Sequence, residues 1–378
     1  MSKILIFTPW YAPAYKAGGP IQSCVRLVEY LKSDHTIQLI TGGYDLHQFD
    51  PLKGIELNRN LVLEPQVHIK YLSRDQYGVK TIKKELTSFS PDYIYVNGMF
   101  SKPFVIDVVL AHRRLSHPAE IILAVHGACK PSALKHKRIK KAVFLAMVKF
   151  LGVQRRIKFH ASNEEEQQEI KNVFSKADTV VINTLPPVRD WRVSALIKKP
   201  GNLNLIFIGR VHPIKNLLFI LEVLMKAKSP ITLKIMGPVD DRLYYEECRT
   251  YARNLPAHVQ VHFEGEVPHP LIHQALEQAH LLVLPTLGEN YGYAIIETLS
   301  AGRPVLISDQ TPWKNLEEAQ AGWELSLAEP SRWAEILNTA SEWDQPTFES
   351  WCRGALEYAE KNTNTEELGE KYREMFRS

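Results

Sequence analysis

The sequence contains no long hydrophobic run. No apolar stretch reaches the roughly 18–20 residues that a membrane-spanning helix needs. The first residues, MSKILIFTPW, also lack the apolar region and the small-residue cleavage site of a signal peptide. They have the composition of a first β-strand instead. We therefore expect a cytoplasmic protein with no membrane span of its own.

Several motifs that define other protein classes are absent too. Neither GxGxxG nor GxxxxGK occurs, which argues against a dinucleotide-binding or P-loop protein. There is no CxxC pair, and the cysteines are scattered along the chain, as expected of reduced thiols in the cytosol. The four cysteines are Cys24, Cys129, Cys248 and Cys352.

One long segment has no acidic side chain. Between Ile121 and Asn163 there are ten Lys or Arg residues and no Asp or Glu. The whole chain has 46 basic and 42 acidic side chains, so the remainder holds 36 basic against 42 acidic ones. The net charge of +4 therefore comes from this segment, which predicts an anionic partner for it.

The middle of that segment alternates cations with bulky apolar residues. A helix with this pattern can lie on an anionic membrane surface, although a core helix with a solvated face looks the same. Nucleic acid is disfavoured because the aromatic residues are not interleaved as stacking platforms. We predict a peripheral protein on the inner face of the plasma membrane. The cations that would contact the membrane or the acceptor are Lys135, Lys137, Arg138, Lys140 and Lys141.

Short apolar runs alternate with helix-length segments through most of the chain. This alternation predicts two α/β domains, each with a doubly wound parallel sheet. A stretch rich in proline and charge, 186–202, separates the two halves. We place the first domain at 1–190 and the second at 200–357, with a C-terminal helix at about 358–378 that can pack back on the first. Ligands of such sheets bind beyond the carboxyl ends of the strands, so we expect two Rossmann-like domains facing a central cleft.

The strands predicted from these runs fall into two groups. In the first half they are Ile4–Phe7, Ile37–Ile40, Val67–Leu72, Tyr93–Val96, Ile121–Val125, Phe159–Ala161 and Val180–Ile182. In the second half they are Leu205–Ile208, Leu233–Met236, Val259–Phe263, Leu281–Leu284 and Val305–Ile307. From Ser331 onward the sequence predicts helix only.

Two polar or glycine-rich sites follow strands in the first half. Gly18 and Gly19 precede a predicted helix, where backbone N–H groups and the helix dipole can hold an anion. A plain turn with proline at the first helical position fits equally well. His126 comes directly after a strand. A lone histidine is more often structural or on the surface, but a position at a strand end beside a cleft strengthens the case for a ligand contact.

The second half begins with a strand, a loop and a helix that carry two cations. Arg210 follows the strand, and Lys215 precedes a helix that is predicted to begin near Asn216. Cations five residues apart across such a turn suit a phosphate or a diphosphate. A surface Arg–Lys pair is the alternative interpretation.

The segment GENYGYAIIETLSAGRPV (288–305) carries two carboxylates eight positions apart. A helix is predicted from near Tyr291 to Gly302, so Glu289 precedes it and Glu297 lies about two turns inside. At 1.5 Å per residue the separation is on the order of 10 Å, wider than the ~5–5.5 Å of a retaining glycosidase pair. This spacing suits two hydroxyl groups of one elongated ligand, with an anion held between them at the helix N-terminus.

With these motifs, the chain resembles the retaining glycosyltransferases of family 4, which have the two-domain GT-B fold. The resemblance covers essentially the whole chain. Its most specific element is Glu289-x7-Glu297 followed by AGRPV (301–305). The other elements, in order, are GGP (18–20), HG (126–127), and GR with KN (209–210 and 215–216).

The resemblance implies a role for each candidate residue. Gly18 and Gly19 would meet the donor phosphate, and His126 the transferred sugar near the reacting carbon. Arg210 and Lys215 would bind the diphosphate. Further donor contacts are implied for Glu289 to the sugar, for Glu297 to the ribose, and for the loop residues Asn290, Tyr291, Gly292 and Tyr293 to sugar and phosphate.

The implied activity is transfer of a sugar from a nucleotide-diphosphate-sugar to a hydroxyl group. Such enzymes typically need no metal and no other cofactor, and no DxD triplet occurs here. The segment MGPVDDRLYY (236–245) departs from the glycine-rich turn often found at this point, which leaves the base contacts open. The segment SDQTPWKNL (308–316) resembles bacterial members that assemble surface polysaccharide, so a lipid-linked glycan, in polysaccharide or lipopolysaccharide synthesis, is the acceptor we expect.

Other functions are compatible with the same architecture. A nucleotide-sugar 2-epimerase and a sugar phosphorylase can have two such domains, but neither accounts for the basic apolar segment. A non-catalytic glycan-binding scaffold is a further alternative, and the complete set of candidate residues argues against it.

Overall fold

The computed structural model describes residues 1–116, 118–135, 138–186, 196–363 and 365–377. It divides the chain into two compact units. The first comprises Met1–Leu185 and Thr365–Ser378, and the second comprises Pro186–Asn364. The chain therefore leaves its first unit and returns to it at the C-terminus.

Within the described residues, the first unit is built on an eight-stranded sheet with helices on both faces. The strands are β1 (Lys3–Thr8), β2 (Thr36–Gly42), β3 (Asn60–Glu64), β4 (Val67–Leu72), β5 (Tyr93–Asn97), β6 (Glu120–Ala124), β7 (Ile157–Ala161) and β8 (Asp178–Val181). The helices are α1 (Gly19–Leu31), α2 (Val79–Phe89), α3 (Asp107–Leu115), α4 (Pro131–Lys135), α5 (Arg138–Phe150), α6 (Glu164–Val173) and, at the C-terminus, α13 (Thr365–Met375).

The strand order of this sheet is β3-β4-β2-β1-β5-β6-β7-β8. All neighbouring pairs are parallel except β3–β4, which is antiparallel. From β1 the chain adds strands toward one edge of the sheet, and from its neighbour β5 it adds strands toward the other edge. Such a switch point leaves a crevice at the carboxyl ends of the strands.

Alternate residues of β1 pack on opposite faces of the sheet. Leu5 and Phe7 belong to the hydrophobic core on one face, and Ile4 and Ile6 belong to the core on the other. This period of two is what a strand covered on both faces requires.

The C-terminal helix completes one of these two cores. Phe376, just after α13, is fully buried, with its ring 5.5 Å from that of Tyr93 and 6.0 Å from that of Tyr95. Burial of large aromatic side chains holds this segment on the first unit. The sequence places the returning helix at about 358–378, whereas in the structure the helix before it runs on to Asn362 in the second unit.

The described part of the second unit has a smaller sheet of six parallel strands. They are β9 (Leu203–Ile208), β10 (Ile231–Met236), β11 (Val259–Gly265), β12 (Leu281–Leu284), β13 (Val305–Ser308) and β14 (Gly322–Leu325), in the order β11-β10-β9-β12-β13-β14. The helices are α7 (Leu217–Leu224), α8 (Arg242–Ala252), α9 (His269–Glu277), α10 (Tyr293–Ser300), α11 (Pro330–Ser341) and α12 (Gln345–Asn362). The switch point of this sheet lies between β9 and β12.

The two doubly wound sheets confirm the predicted fold class. Every predicted strand is present within a few residues of its predicted bounds. Two strands, β3 and β14, were not predicted. The residues of β3 are mostly exposed, so they lack the apolar signature of a buried strand, and β14 is short and begins with Gly322.

Candidate active site

The switch point of the second unit brings two cation–carboxylate pairs to the ends of its strands. Arg210 comes two residues after β9, and its Nη1 lies 2.5 Å from Oδ2 of Asp240, which follows β10. The loop after β10 approaches the loop after β9 closely, because a Cβ on Gly237 would stand 2.0 Å from the Gly209 carbonyl oxygen. Glycine at 237, with φ 146°, is therefore required for the approach that pairs Arg210 with Asp240.

The second pair joins the loops that follow β9 and β12. Lys215 ends a 3₁₀ turn, and its Nζ forms a short ion pair with Oε1 of Glu289. Both side chains are mostly buried, at 17% and 12% exposure. The loops are tied together by their backbones, since the Leu287 amide donates to the Ile214 carbonyl oxygen at 2.8 Å. The adjacency of β9 and β12 thus places a candidate phosphate-binding cation against a candidate sugar-binding carboxylate.

Helix α10 begins later and ends earlier than the sequence suggests. It was predicted from Tyr291 to Gly302, but it runs from Tyr293 to Ser300. Gly292 precedes it in a left-handed conformation, φ 83°, which the first residue of a right-handed helix cannot adopt. Glu297 is inside the helix, as predicted, and is 4% exposed.

The loop before α10 is held by aromatic side chains. Trp313 Nε1 donates to the Tyr291 carbonyl oxygen at 2.6 Å, and the two rings are 5.4 Å apart. The Tyr291 ring also meets that of Tyr293 at 5.1 Å. Asn290 and Gly292 complete this loop, so all four predicted loop residues lie at the helix N-terminus, where backbone N–H groups favour an anion.

In the first unit, the glycine pair was predicted to precede a helix, and the structure starts that helix at the second glycine. Gly18 is the residue before α1, with φ 65° and ψ −122°, and Gly19 is the first residue of that helix. A Cβ at Gly18 would meet nothing within 4 Å, so the need for glycine is conformational rather than steric. The loop that leads into Gly18 is fixed by Asp45, whose buried carboxylate accepts hydrogen bonds from the backbone N–H groups of Tyr15 and Lys16.

His126 follows β6 at the same edge of the sheet. Its φ of 51° lies in the left-handed region, an uncommon conformation for a non-glycine residue. Its Nε2 is 2.6 Å from Oδ1 of Asn97, the last residue of β5, and 3.5 Å from Oγ of Ser23 on α1. The imidazole therefore joins three elements that surround the β1–β5 switch point.

Burial keeps this imidazole neutral. Desolvation lowers the pKa of His126 to about 4, the charge of Glu166 opposes this shift, and His160 adds to it. The next residue is fixed as well, since the Gly127 N–H, at φ 72°, donates to Glu166 Oε1 in a short hydrogen bond. Glu166 is 1% exposed and also accepts from the Ser162 N–H at 2.6 Å. The left-handed pair 126–127 is thus clamped by a buried carboxylate.

Asn97, Asp240 and Glu166 were not among the site residues predicted from the sequence. Asn97 satisfies the criterion that found His126, a polar side chain at the end of a strand, and could have been found in the same way. Asp240 lies within the segment noted for departing from a glycine-rich turn. Nothing in the local sequence of Glu166, the third of three consecutive glutamates, distinguishes it from its neighbours.

The basic apolar segment forms α4 and α5. The exposed face of α5 carries Ile139, Val143 and Phe150, at 81%, 63% and 90% exposure, while Val148 on the other face is buried in the core. Residues 139, 143, 146 and 150 recur at helical spacing, so they form one stripe. From the sequence, a core helix with a solvated face remained an alternative, but α5 has a buried face and a second face that is apolar and exposed. We call the exposed stripe with its flanking cations the α5 surface.

The predicted cations of this segment differ in their surroundings. Lys135, Arg138 and Lys140 are exposed. Lys141 instead donates to the Ala133 carbonyl oxygen at 2.6 Å and lies 4.9 Å from the centre of the Phe100 ring, so it helps to fix α5 rather than to extend the α5 surface. The predicted contact at Lys137 lies outside the described residues. No helix within the described ranges is long and apolar enough to cross a membrane.

The sequence is similar to those of known glycosyltransferases. Residues 202–342 match the family model described as glycosyl transferases group 1. This range includes all four charged candidates of the second unit, Arg210, Lys215, Glu289 and Glu297. Over 324 residues the chain is also 21% identical to an uncharacterized glycosyltransferase of Methanocaldococcus jannaschii, a match that covers 81% of this chain and 80% of that protein.

Solved structures agree with the fold of the entire chain. A sucrose-phosphate synthase of Thermosynechococcus elongatus matches with a TM-score of 0.71 and 16% identity, over 100% of this chain and 99% of that one. HepE of Anabaena, in complex with UDP and glucose, matches with a TM-score of 0.70 and 15% identity, over 99% of each chain. These findings agree with the predicted resemblance: residues 202–342 match the family of glycosyl transferases group 1, and the chain has the GT-B fold.

Proposed function

We propose that this protein is a glycosyltransferase that transfers a hexose from a nucleotide-diphosphate-sugar to a hydroxyl group, with retention of the anomeric configuration. The contact between Lys215 and Glu289 carries the proposal, because it places a cation suited to a diphosphate beside a carboxylate suited to sugar hydroxyl groups. The Anabaena structure, with UDP and glucose bound to a similar fold, supports a donor of this class.

The charged pairs can exchange partners when such a donor binds. Lys215 and Arg210 can each replace a carboxylate partner by phosphate oxygens, which releases Glu289 to accept hydrogen bonds from the sugar. Glu297, buried in α10, would accept from the ribose hydroxyl groups. We propose for Gly18, Gly19 and His126, and for the loop before α10, the contacts that the family resemblance implies.

The reaction that we propose breaks the bond between the anomeric carbon and the diphosphate oxygen. The acceptor oxygen forms its bond to that carbon on the same face of the sugar, and its proton passes to the departing phosphate oxygen. The products are a nucleoside diphosphate and a glycoside, so atoms and charges balance. Arg210, Lys215 and the N-terminus of α10 stabilise the charge that develops on the leaving group. With these groups we propose that no metal ion is needed, and that transfer persists in excess EDTA.

A panel of radiolabelled nucleotide sugars tests the activity. We expect label in a glycoside product together with free nucleoside diphosphate, and a thermal-shift screen of uridine and guanosine diphosphates should identify the base. Recovery of an epimerised donor would indicate a 2-epimerase. Release of sugar phosphate in inorganic phosphate would indicate a phosphorylase, and binding with no turnover a glycan-binding scaffold.

We further propose that the acceptor is a lipid-linked glycan at the inner face of the plasma membrane. The α5 surface supports this proposal. Ile139, Val143 and Phe150 would enter the boundary between headgroups and acyl chains, and cations such as Arg138 and Lys140 would contact anionic headgroups, each contributing about 1 kcal/mol. A polyprenyl phosphate carries its glycan at that depth, which fits surface polysaccharide or lipopolysaccharide synthesis.

Vesicle flotation tests the membrane proposal with a matched control. The wild type should float with vesicles rich in anionic lipid and be released at high salt. The double variant Arg138→Glu/Lys140→Glu should not float. The control Lys80→Glu/Lys84→Glu places the same charge change on exposed positions of α2 and should float normally. Equal flotation of the two variants, or flotation that is insensitive to salt, would remove the role of the α5 surface and leave a soluble acceptor.

A further inference from the structure

The orientation of the Asn97 side-chain amide is fixed by its neighbours. Its Nδ2 donates to the Pro20 carbonyl oxygen at 2.8 Å and to Thr8 Oγ1 at 3.2 Å. A carbonyl oxygen can only accept a hydrogen bond, so the nitrogen of the amide, not the oxygen, must face Pro20. The amide oxygen is left to face His126, with Oδ1 2.6 Å from Nε2.

This orientation assigns the proton on the imidazole. Because Asn97 Oδ1 can only accept, His126 Nε2 must be the donor. Ser23 gives the same answer independently, since its Oγ donates its one proton to the Pro20 carbonyl oxygen at 2.9 Å and can only accept from Nε2. In a neutral imidazole with Nε2 protonated, Nδ1 is an acceptor. Nδ1 of His126 has no hydrogen-bond partner among the residues that the structure describes.

We propose that Asn97 is a positioning residue: it fixes His126 as the neutral Nε2–H tautomer and thereby presents Nδ1 as a hydrogen-bond acceptor to a substrate hydroxyl group. The proposal rests on the proposed function, in which His126 contacts the transferred sugar. An imidazolium, with both nitrogens protonated, could only donate to that hydroxyl group. The same amide holds Pro20 in the first turn of α1, so it ties the glycine loop to His126.

The charges around the ring explain why position 97 carries an amide rather than a carboxylate. Glu166 on α6 favours the imidazolium, and His160 on β7 disfavours it. Asn97 and Ser23, which contact the ring from β5 and α1, are uncharged. A second carboxylate in contact with Nε2 would favour protonation and remove the acceptor at Nδ1.

Nitrogen NMR of the full-length protein, labelled with ¹⁵N-histidine and free of substrate, tests the tautomer directly. The His126 signals are those that disappear in His126→Gln. In the wild type we expect a protonated Nε2 and an unprotonated Nδ1 with no titration between about pH 5 and 8. Asn97→Asp should make the ring titrate within that window, and Asn97→Ala should give a mixture of tautomers. The control Asn58→Asp, which adds the same charge in a loop of the same unit, should match the wild type.

A proton on Nδ1 in the wild type, or a ring that titrates near 6.5, would overturn the proposal. A His126 ring that still does not titrate in Asn97→Asp would also overturn the proposal. Because this replacement is nearly isosteric, the experiment remains decisive if Asn97→Ala fails to fold. These spectra need no turnover. The test of the tautomer therefore remains valid even if no nucleotide sugar is a substrate. That result would refute the proposed function alone.

A double-mutant cycle separates positioning from simple structural support. Asn97→Ala and His126→Ala should each lower kcat about tenfold or more, and the double variant should be little worse than the poorer single one, because Asn97 acts through His126. The acid limb of the kcat profile should also move to higher pH in Asn97→Asp. Additive losses of kcat, with an acid limb that does not move, would show that Asn97 only supports the fold.

Discussion

The candidate residues of the two units differ in how charge is held. In the second unit, Arg210 and Lys215 each form an ion pair with a carboxylate from a neighbouring loop. In the first unit, the groups that touch His126 are neutral, and the nearby carboxylate of Glu166 is occupied by backbone N–H groups. An ion pair can exchange one anion for another, whereas a network of fixed donors and acceptors cannot change without breaking hydrogen bonds.

This difference assigns different tasks to the two units. The exchangeable pairs suit a ligand with several negative charges, because phosphate replaces carboxylate with little net desolvation. The fixed network suits hydroxyl groups, for which the direction of each hydrogen bond matters more than charge. Four changes test the contrast, in order of expected effect.

The largest effect is expected from Lys215→Ala. Loss of this cation should lower kcat by about 10²–10³-fold, since it would stabilise charge on the leaving diphosphate. Transfer is measured with the best donor of the nucleotide-sugar panel. The control Lys226→Ala, at an exposed position of the same unit, should retain wild-type kinetics. Wild-type turnover in Lys215→Ala would show that its ion pair is structural, like the carboxylate of the first unit.

In the first unit, Glu166→Gln should affect stability in the absence of any ligand. The amide would turn an NH₂ group toward one of the N–H groups that the carboxylate now accepts, and an unsatisfied buried donor costs about 1–3 kcal/mol. Urea unfolding measures the loss. Glu165→Gln, exposed on the same helix, should stay within about 0.5 kcal/mol of the wild type. Unchanged stability in both variants would mean that Glu166 does not clamp the 126–127 loop.

The two glutamates of the second unit should separate nucleotide binding from sugar transfer. Glu297→Gln should weaken nucleoside diphosphate binding about tenfold, because the ribose loses a charged acceptor. Glu289→Gln should leave that affinity unchanged or increase it, since Lys215 loses a competing partner, and should instead lower kcat. Calorimetry measures the affinity of each variant for the free nucleoside diphosphate. An equal loss of affinity in both variants would contradict the separate roles.

The smallest effect at neutral pH is expected in the pH dependence of stability. The pKa of His126 is about 4 in the folded protein, below the ordinary 6.5, so the unfolded chain binds this proton more readily. Wild-type stability should therefore fall as the pH decreases from about 6.5 to 4. Asparagine tolerates the left-handed backbone, and His126→Asn has no imidazole to protonate. The stability of this variant relative to the wild type should therefore rise as the pH falls across the same window. The remaining buried histidines are common to both proteins. A constant stability difference from pH 7 to 4 would show that His126 is not held neutral.

Much of the fold was predictable because its signals are local. The buried strands are continuous apolar runs, as parallel sheets covered on both faces require, and β4 and β12 have the predicted bounds. Strand β3 was missed because its exposed residues carry no such run. The predicted start of α10 at Tyr291 was wrong because Gly292 is in a left-handed conformation. That conformation depends on contacts of the loop, including that of Trp313 with Tyr291.

The sequence by itself determined the two doubly wound units and the positions of the candidate residues, because a strand-end residue can be recognised from the run that precedes it. It also placed Glu289 before α10 and Glu297 within it. Only the tertiary structure decided which of these groups meet. Lys215 contacts Glu289 because β9 and β12 are neighbours in the sheet, although 74 positions separate the two residues in the chain. The protonated nitrogen of His126 was likewise decided in three dimensions. Asn97 lies on β5, whereas Pro20 and Ser23 lie on α1, and their hydrogen-bond directions exist only once β1, β5, β6 and α1 are packed together.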